Sequence, residues 1–145
     1  MGGLSVREEL CTGCRACVAV CAFWHTGRFG ALGGRIRVRH VPERCESQPA
    51  VCRQCREALC QDACPAGAIG RGTGGGSPPR VDRDSCTGCG LCLEACPHGG
   101  VSLDGEGKAA ICDLCGGEAW CARVCFPGAL ALARPEPEED GHASA

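Results

Sequence analysis

The chain has 145 residues, room for one domain or two small ones, and a formal net charge of −2 that gives no reason to expect a nucleic-acid partner. Aromatic residues make up 3% of it and tyrosine is absent, so a conventional core would be thin for this length. Cysteine, at 17 residues, must supply the missing cohesion through disulfides, zinc or iron–sulfur chemistry.

A disulfide scaffold expects a secretory leader and an even cysteine count. The first ten residues, MGGLSVREEL, contain no apolar run, and 17 is odd. No stretch approaches the length of a membrane-spanning helix. The expectation is a soluble protein in a reducing, cytoplasmic compartment, with no membrane segment.

In chain order, Leu4-Ser5-Val6 alternates as a short strand should. The first cysteine group follows: Cys11, Cys14, Cys17 and Cys21, spaced 2-2-3, with Ala22 where a proline is expected. Phe23, Trp24 and His25 lead into a bend rich in glycine (Gly27, Gly30, Gly33, Gly34), then into Arg35-Ile36-Arg37-Val38-Arg39-His40-Val41. That alternation predicts a strand with one apolar and one basic face. The second group is Cys52, Cys55, Cys60 and Cys64, spaced 2-4-3 and followed by Pro65. Gly70, Gly72 and Gly75 formally match a dinucleotide-binding fingerprint, but prolines follow where its helix should start. The stretch predicts instead a flexible hairpin tip between strands near Ile69 and Val81. The third group, Cys86, Cys89, Cys92 and Cys96 before Pro97, is spaced 2-2-3. Val101-Ser102-Leu103 and Ala109-Ala110-Ile111 flank a turn and predict a hairpin. The fourth group, Cys112, Cys115, Cys121 and Cys125, is spaced 2-5-3 with its proline displaced to Pro127. Ala129-Leu130-Ala131-Leu132 predicts a last strand, and residues 134–145 an acidic, proline-rich disordered tail.

The chain is thus an internal repeat of four cysteine groups. Zinc ribbons need two Cys-x2-Cys pairs separated by a spacer and have no use for Cys-x2-Cys-x2-Cys-x3-Cys-Pro. That run is the ligand pattern of bacterial ferredoxins: three thiolates two residues apart wrap three corners of a cubane, and the fourth, expected on the helix that follows, faces a second cluster. Residues 52–101 have the layout of one two-cluster ferredoxin, so groups two and three should exchange their fourth cysteines, leaving groups one and four to do the same. The expected ligand sets are Cys52, Cys55, Cys60 with Cys96; Cys86, Cys89, Cys92 with Cys64; Cys11, Cys14, Cys17 with Cys125; and Cys112, Cys115, Cys121 with Cys21. Cys45 is left over and reads as a spare thiol.

Over about residues 4 to 133 the chain resembles the four-cluster iron–sulfur subunits that serve molybdenum and tungsten oxidoreductases, hydrogenases and carbon monoxide dehydrogenases. The four groups carry the resemblance, with Cys52-Arg53-Gln54-Cys55, Cys112-Asp113-Leu114-Cys115-Gly116-Gly117, and Phe23-Trp24-His25-Thr26-Gly27 leading to Arg35-Ile36-Arg37-Val38. The compact form, without a long insertion in group four, is most similar to the small subunit of tungsten aldehyde oxidoreductases. The resemblance implies an α+β fold of two ferredoxin-like units related by a pseudo-twofold, with four 4Fe–4S clusters. Residues 1–51 and 97–133 would form the outer unit and 52–96 the inner one. It implies electron transfer between a large catalytic subunit with a tungsten or molybdenum cofactor and a flavin subunit, a ferredoxin or further copies of the chain. A free polyferredoxin carrier, or the small subunit of a hydrogenase or carbon monoxide dehydrogenase, is the alternative, and a cluster-bearing sensor a distant third.

Catalysis by the chain itself is not expected, since every strong motif is assigned to ligation and no nucleophile–base pair is visible. His25, His40, His98 and His142 are scattered. Residues 22–57 hold seven arginines against three glutamates, a net +4. That face either offsets cluster charge or docks a catalytic subunit through Arg37 and Arg39.

Overall fold

In a chain whose loops must wrap four cysteine groups, no regular element has room to grow long. The computed structural model describes residues 3–30, 32–71 and 77–133. The expected hairpin tip at 72–76 and the tail at 134–145 lie outside the described residues. Among these, eight strands form four separate two-stranded antiparallel sheets. β1 (Leu4–Val6) pairs with β8 (Leu130–Leu132), β2 (Arg37–Val41) with β3 (Glu46–Ala50), β4 (Ile69–Arg71) with β5 (Pro79–Val81), and β6 (Val101–Leu103) with β7 (Ala109–Ile111). The helices are α1 (Ala16–Thr26), α2 (Leu59–Asp62), α3 (Leu91–Ala95) and α4 (Trp120–Arg123). No helix of the described residues is long and apolar enough to cross a membrane.

The strands form where apolar residues alternate beside turn residues, except β3, whose Glu-Ser-Gln-Pro-Ala sequence has no strand signal. It is drafted by the partner edge of β2, with Arg37 opposite Ala50. The two chain ends meet in β1–β8, with Leu4 opposite Leu132. Flanking hydrogen bonds extend that pair, from Arg7 N to Ala129 O at 2.7 Å and from Ala133 N to Gly3 O at 2.8 Å. Helix α1 packs against α4, and α2 against α3.

The core is narrow. Its largest fully buried side chains are Ile36, Val51, Val101 and Leu114, and buried cysteines fill in between them. No aromatic ring joins it: Phe23, Trp24, Phe29 and Phe126 are exposed. The basic face of β2 is turned to structural use. Arg37 Nη2 donates to Gly99 O at 3.0 Å and to Val101 O at 2.9 Å, and the Arg39 guanidinium lies against Gly99. These two exposed arginines lie along the backbone between the third cysteine group and β6, where Arg37 satisfies its carbonyls.

Gly100 marks a close backbone approach in the fold. A Cβ there would lie 2.5 Å from Cys52 N and 2.6 Å from Cys52 Cα, against backbone that cannot step aside. Gly100→Ala should therefore cost about 1–3 kcal/mol and lower the melting temperature of the loaded protein by several degrees. Gly105→Ala, which meets nothing within 4 Å, should leave it unchanged. Equal melting of the two variants would show that the contact relaxes without cost.

Candidate metal centres

Each cysteine group opens with the same backbone device. The residue before the second cysteine has a left-handed conformation: Gly13 (φ 75°), Gln54 (φ 49°), Gly88 (φ 72°) and Leu114 (φ 57°). Groups one and three place glycine there, where no Cβ opposes it. Groups two and four force a side chain into that region, and a hydrogen bond to sulfur compensates. Gln54 N donates to Cys52 Sγ and Leu114 N to Cys112 Sγ, both at 3.4 Å. Gln54 is also held by Leu4 N, which donates to its Oε1 at 3.0 Å.

The third cysteine of each group lies on a helix: Cys17 on α1, Cys60 on α2, Cys92 on α3 and Cys121 on α4. The fourth shares that helix only in group one, where α1 runs on through Cys21. Cys64, Cys96 and Cys125 lie beyond the ends of helices four or five residues long. This corrects the expectation for Cys96. The proline that follows it disfavours helical geometry at the preceding residue, and Cys96 is extended (φ −80°, ψ 112°).

These turns gather the thiols into four small cavities. The first is lined by Cys11, Cys14, Cys17 and Cys125; the second by Cys52, Cys55, Cys60 and Cys96; the third by Cys64, Cys86, Cys89 and Cys92; the fourth by Cys21, Cys112, Cys115 and Cys121. None of the 17 cysteines forms a disulfide. Burial pushes several of them up: Cys17 and Cys52 to about 11, Cys121 to about 12, and Cys112 further still. Cys64 goes the other way, lowered chiefly by the hydrogen bond from Ala68 N. The raised thiols are protonated at neutral pH unless a cation takes the proton's place.

The quartets are arranged in a row. Cys112 of the fourth feels the charge of Cys52 in the second, and Cys121 of the fourth feels Cys17 in the first. Packing of α2 on α3 sets the second beside the third. The order is third, second, fourth, first. Of the sixteen lining cysteines only Cys14 and Cys89 are exposed, and they belong to the two end quartets. Group three, inner in the sequence, therefore supplies an end of the row.

Charged side chains that the cysteine pattern did not single out complete the walls. Arg15 lines the first cavity, Arg53 and Arg71 the second, and Arg35 and His25 the fourth. Arg15 and Arg53 sit next to a cysteine in the sequence, which is a readable signal; Arg71 carries none. His25 Nε2 lies 3.6 Å from Asp113 Oδ1, and burial lowers its pKa. Asp113 is already engaged, pairing with Arg35 at 2.8 Å and accepting from Cys115 N at 2.9 Å. His25, Asp113 and Cys115 are thus a brace of the fourth quartet. His40 is exposed and His98 half-buried, away from the cavities; His142 lies outside the described residues. Cys45 is exposed, lines none of the four cavities, and its Sγ lies 3.7 Å from Pro42 O.

Comparison with known proteins agrees with this chemistry. Residues 51–102 match the 4Fe–4S dicluster domain and residues 8–24 a 4Fe–4S binding domain. The chain is 34% identical to the aliphatic sulfonate oxidoreductase, polyferredoxin-like subunit, of Pyrococcus furiosus, over 83% of this chain and 69% of that one. It is 36% identical to the NADH-dependent phenylglyoxylate dehydrogenase subunit beta of Aromatoleum evansii, over 83% of this chain but only 27% of that longer protein. The fold is shared with a chain of the active site complex BamBC of benzoyl coenzyme A reductase, with a TM-score of 0.54, 23% identity, and coverage of 96% of this chain and 82% of that one. The chain belongs to the family of 4Fe–4S ferredoxin-like proteins that includes polyferredoxin-like subunits of oxidoreductases.

Proposed function

We propose that this chain is the electron-transfer subunit of an oxidoreductase complex and holds four 4Fe–4S clusters, one in each cysteine quartet. The observation that carries this reading is the row of four cavities, each lined by four thiols, with an exposed cysteine at either end. Four thiols on one cavity match the four irons of a cubane, one to each. The sets are Cys11, Cys14, Cys17, Cys125; Cys52, Cys55, Cys60, Cys96; Cys64, Cys86, Cys89, Cys92; and Cys21, Cys112, Cys115, Cys121. Residues 52–96 then act as one ferredoxin-like unit, and the two chain ends, joined through β1–β8 and α1–α4, as a second related to it by a pseudo-twofold.

When bound, the clusters supply one-electron chemistry without any bond being made or broken in the protein. The chain's own part is to hold and tune. Its thiols give up protons to bind iron. Backbone N–H groups such as Arg35 N on Cys21 Sγ (3.1 Å) stabilise charge on sulfur. Electrons would pass between a large catalytic subunit carrying a tungsten or molybdenum cofactor, as in aldehyde oxidoreductases, and a flavin subunit or ferredoxin in the cytoplasm. A free polyferredoxin carrier is the alternative; it would purify as a stable monomer, whereas a subunit brings a large chain with it.

Anaerobic assay of the native protein should give about sixteen irons per chain, four to each cubane. A value near half of that, or stoichiometric zinc, would end the four-cluster reading. Because the apolar core is thin, removing iron with a chelator should collapse the circular dichroism of the folded state. Cys45→Ser should keep the full iron content and the same absorption spectrum; loss of one cubane's iron would mean that the quartets are wrongly drawn. Cys55→Ser breaks a quartet inside the row. In an intact complex it should abolish transfer to the physiological acceptor while sparing reduction of a small dye that reaches the catalytic centre directly. If both activities fall together, the row is not a conduit.

A further inference from the structure

Backbone donors to sulfur are shared almost evenly among the quartets. The second receives Gln54 N on Cys52 (3.4 Å) and Gly100 N on Cys96 (3.2 Å). The third receives Ala68 N on Cys64 (3.3 Å) and Ala109 N on Cys86 (3.4 Å). The fourth receives Arg35 N on Cys21 (3.1 Å) and Leu114 N on Cys112 (3.4 Å). The first has Leu130 N on Cys125 (3.4 Å). Backbone hydrogen bonding therefore does not separate the second quartet from the third or the fourth.

Buried guanidinium donors do. No charged side chain lines the third cavity, and the cation nearest to it, Lys108, is held by the carbonyl of Cys86. Arg35 at the fourth is paired with Asp113. Arg15 at the first is an exposed side chain, screened by water. The second cavity has two guanidinium groups in its wall, Arg53, which pairs with Glu8, and Arg71, beside the exposed Glu57. Each guanidinium is tethered at its tip by a protein oxygen: Arg53 Nη2 donates to Glu8 Oε1 at 3.1 Å, and Arg71 Nη2 to Cys55 O. Each leaves its Nε–H buried with no protein acceptor. Two buried donors without partners in the wall of one thiol-lined cavity call for an acceptor inside that cavity. A cubane's sulfur atoms are such acceptors.

We propose that Arg53 and Arg71 give the second quartet the highest reduction potential of the four, making it the place where an electron rests in the row. This inference rests on the four-cluster reading above. A cubane with four thiolates is an anion that gains a further negative charge on reduction, so nearby cations and N–H donors to sulfur favour its reduced form. One electron leaves an adjacent reduced quartet, which is oxidised by one, and enters the second, with no proton or bond changing place. An electron entering at either end then settles one step in from the third quartet until the acceptor withdraws it.

The test is an anaerobic redox titration of the full, iron-loaded protein followed by electron paramagnetic resonance. The highest of the four midpoint potentials should belong to the signal altered by Cys60→Ser. In Arg71→Met and in Arg53→Met that midpoint alone should fall, each change shifting electron sharing with the neighbouring quartets by about tenfold, which is about 59 mV for one electron. The double variant should fall further. Arg71→Lys, which keeps the charge and loses the planar Nε–H, should recover part of the shift. Arg15→Met should move a different signal. Should Arg71→Met lose iron, Arg53→Met decides, because its guanidinium is tethered only to the surface residue Glu8. An unmoved highest midpoint, a uniform shift of all four, or a highest midpoint insensitive to Cys60→Ser overturns the proposal. Absence of iron from the native protein would instead defeat the cluster reading itself.

Discussion

The convergence of four thiols on a single cavity, repeated four times, is the constraint on which the rest of this fold depends. Each convergence needs a loop tight enough to turn three sulfur atoms inward, and the left-handed residue before every second cysteine provides it. It also needs a fourth sulfur from a distant segment. Cys125 crosses to the first group, Cys21 to the fourth, Cys96 to the second and Cys64 to the third. These exchanges dictate which helices and which chain ends must pack together. The four small sheets follow from that, since each is only long enough to carry the chain from one cysteine loop to the next.

The same constraint explains where the stabilising interactions lie. With Ile36, Val51, Val101 and Leu114 as the largest fully buried side chains, apolar burial alone is modest for this length. Buried thiols occupy the remaining interior, and an interior of thiols is stabilised by what binds them. The left-handed conformations of Gln54 and Leu114 belong to the same economy. Strain of this kind persists where the surroundings over-determine it, and here each N–H donates to a ligand-type sulfur. Two arginines of the basic segment also brace this interior. Arg37 ties the backbone of Gly99 and Val101, and Arg35 braces Asp113 and the carbonyl of Ile111.

The order of the quartets in space differs from the order of the groups in the chain, and this bears on how electrons would travel. Placing groups one and four on either side of groups two and three suggests an outer and an inner pair. The exchange of fourth cysteines, together with the approach of Cys112 to Cys52, instead threads all four sites into one line. The fourth quartet lies between the first and the second, and the third stands at an end with its exposed Cys89. A row with both ends near solvent lets a partner engage at either end without disturbing the interior sites.

By itself the sequence determined the cysteine groups and their chemistry, because cubane ligation demands a local spacing that few other sites share, and spacing is a property of the chain alone. It also determined β1, β2, β6, β7 and β8, whose alternation and flanking turn residues are local signals, and placed β4 and β5 near Ile69 and Val81. Only the tertiary structure decided the rest. The strand β3 forms because β2 offers it an edge, and Cys96 leaves its helix because Pro97 follows a helix too short to continue. The row order depends on contacts between segments distant in the chain, such as α2 with α3 and Cys112 with Cys52. Arg71 could not be found from the sequence, because a guanidinium in the wall of a cavity sixteen residues away leaves no pattern in the chain; it becomes visible only through its bond to Cys55 and its unpartnered Nε–H.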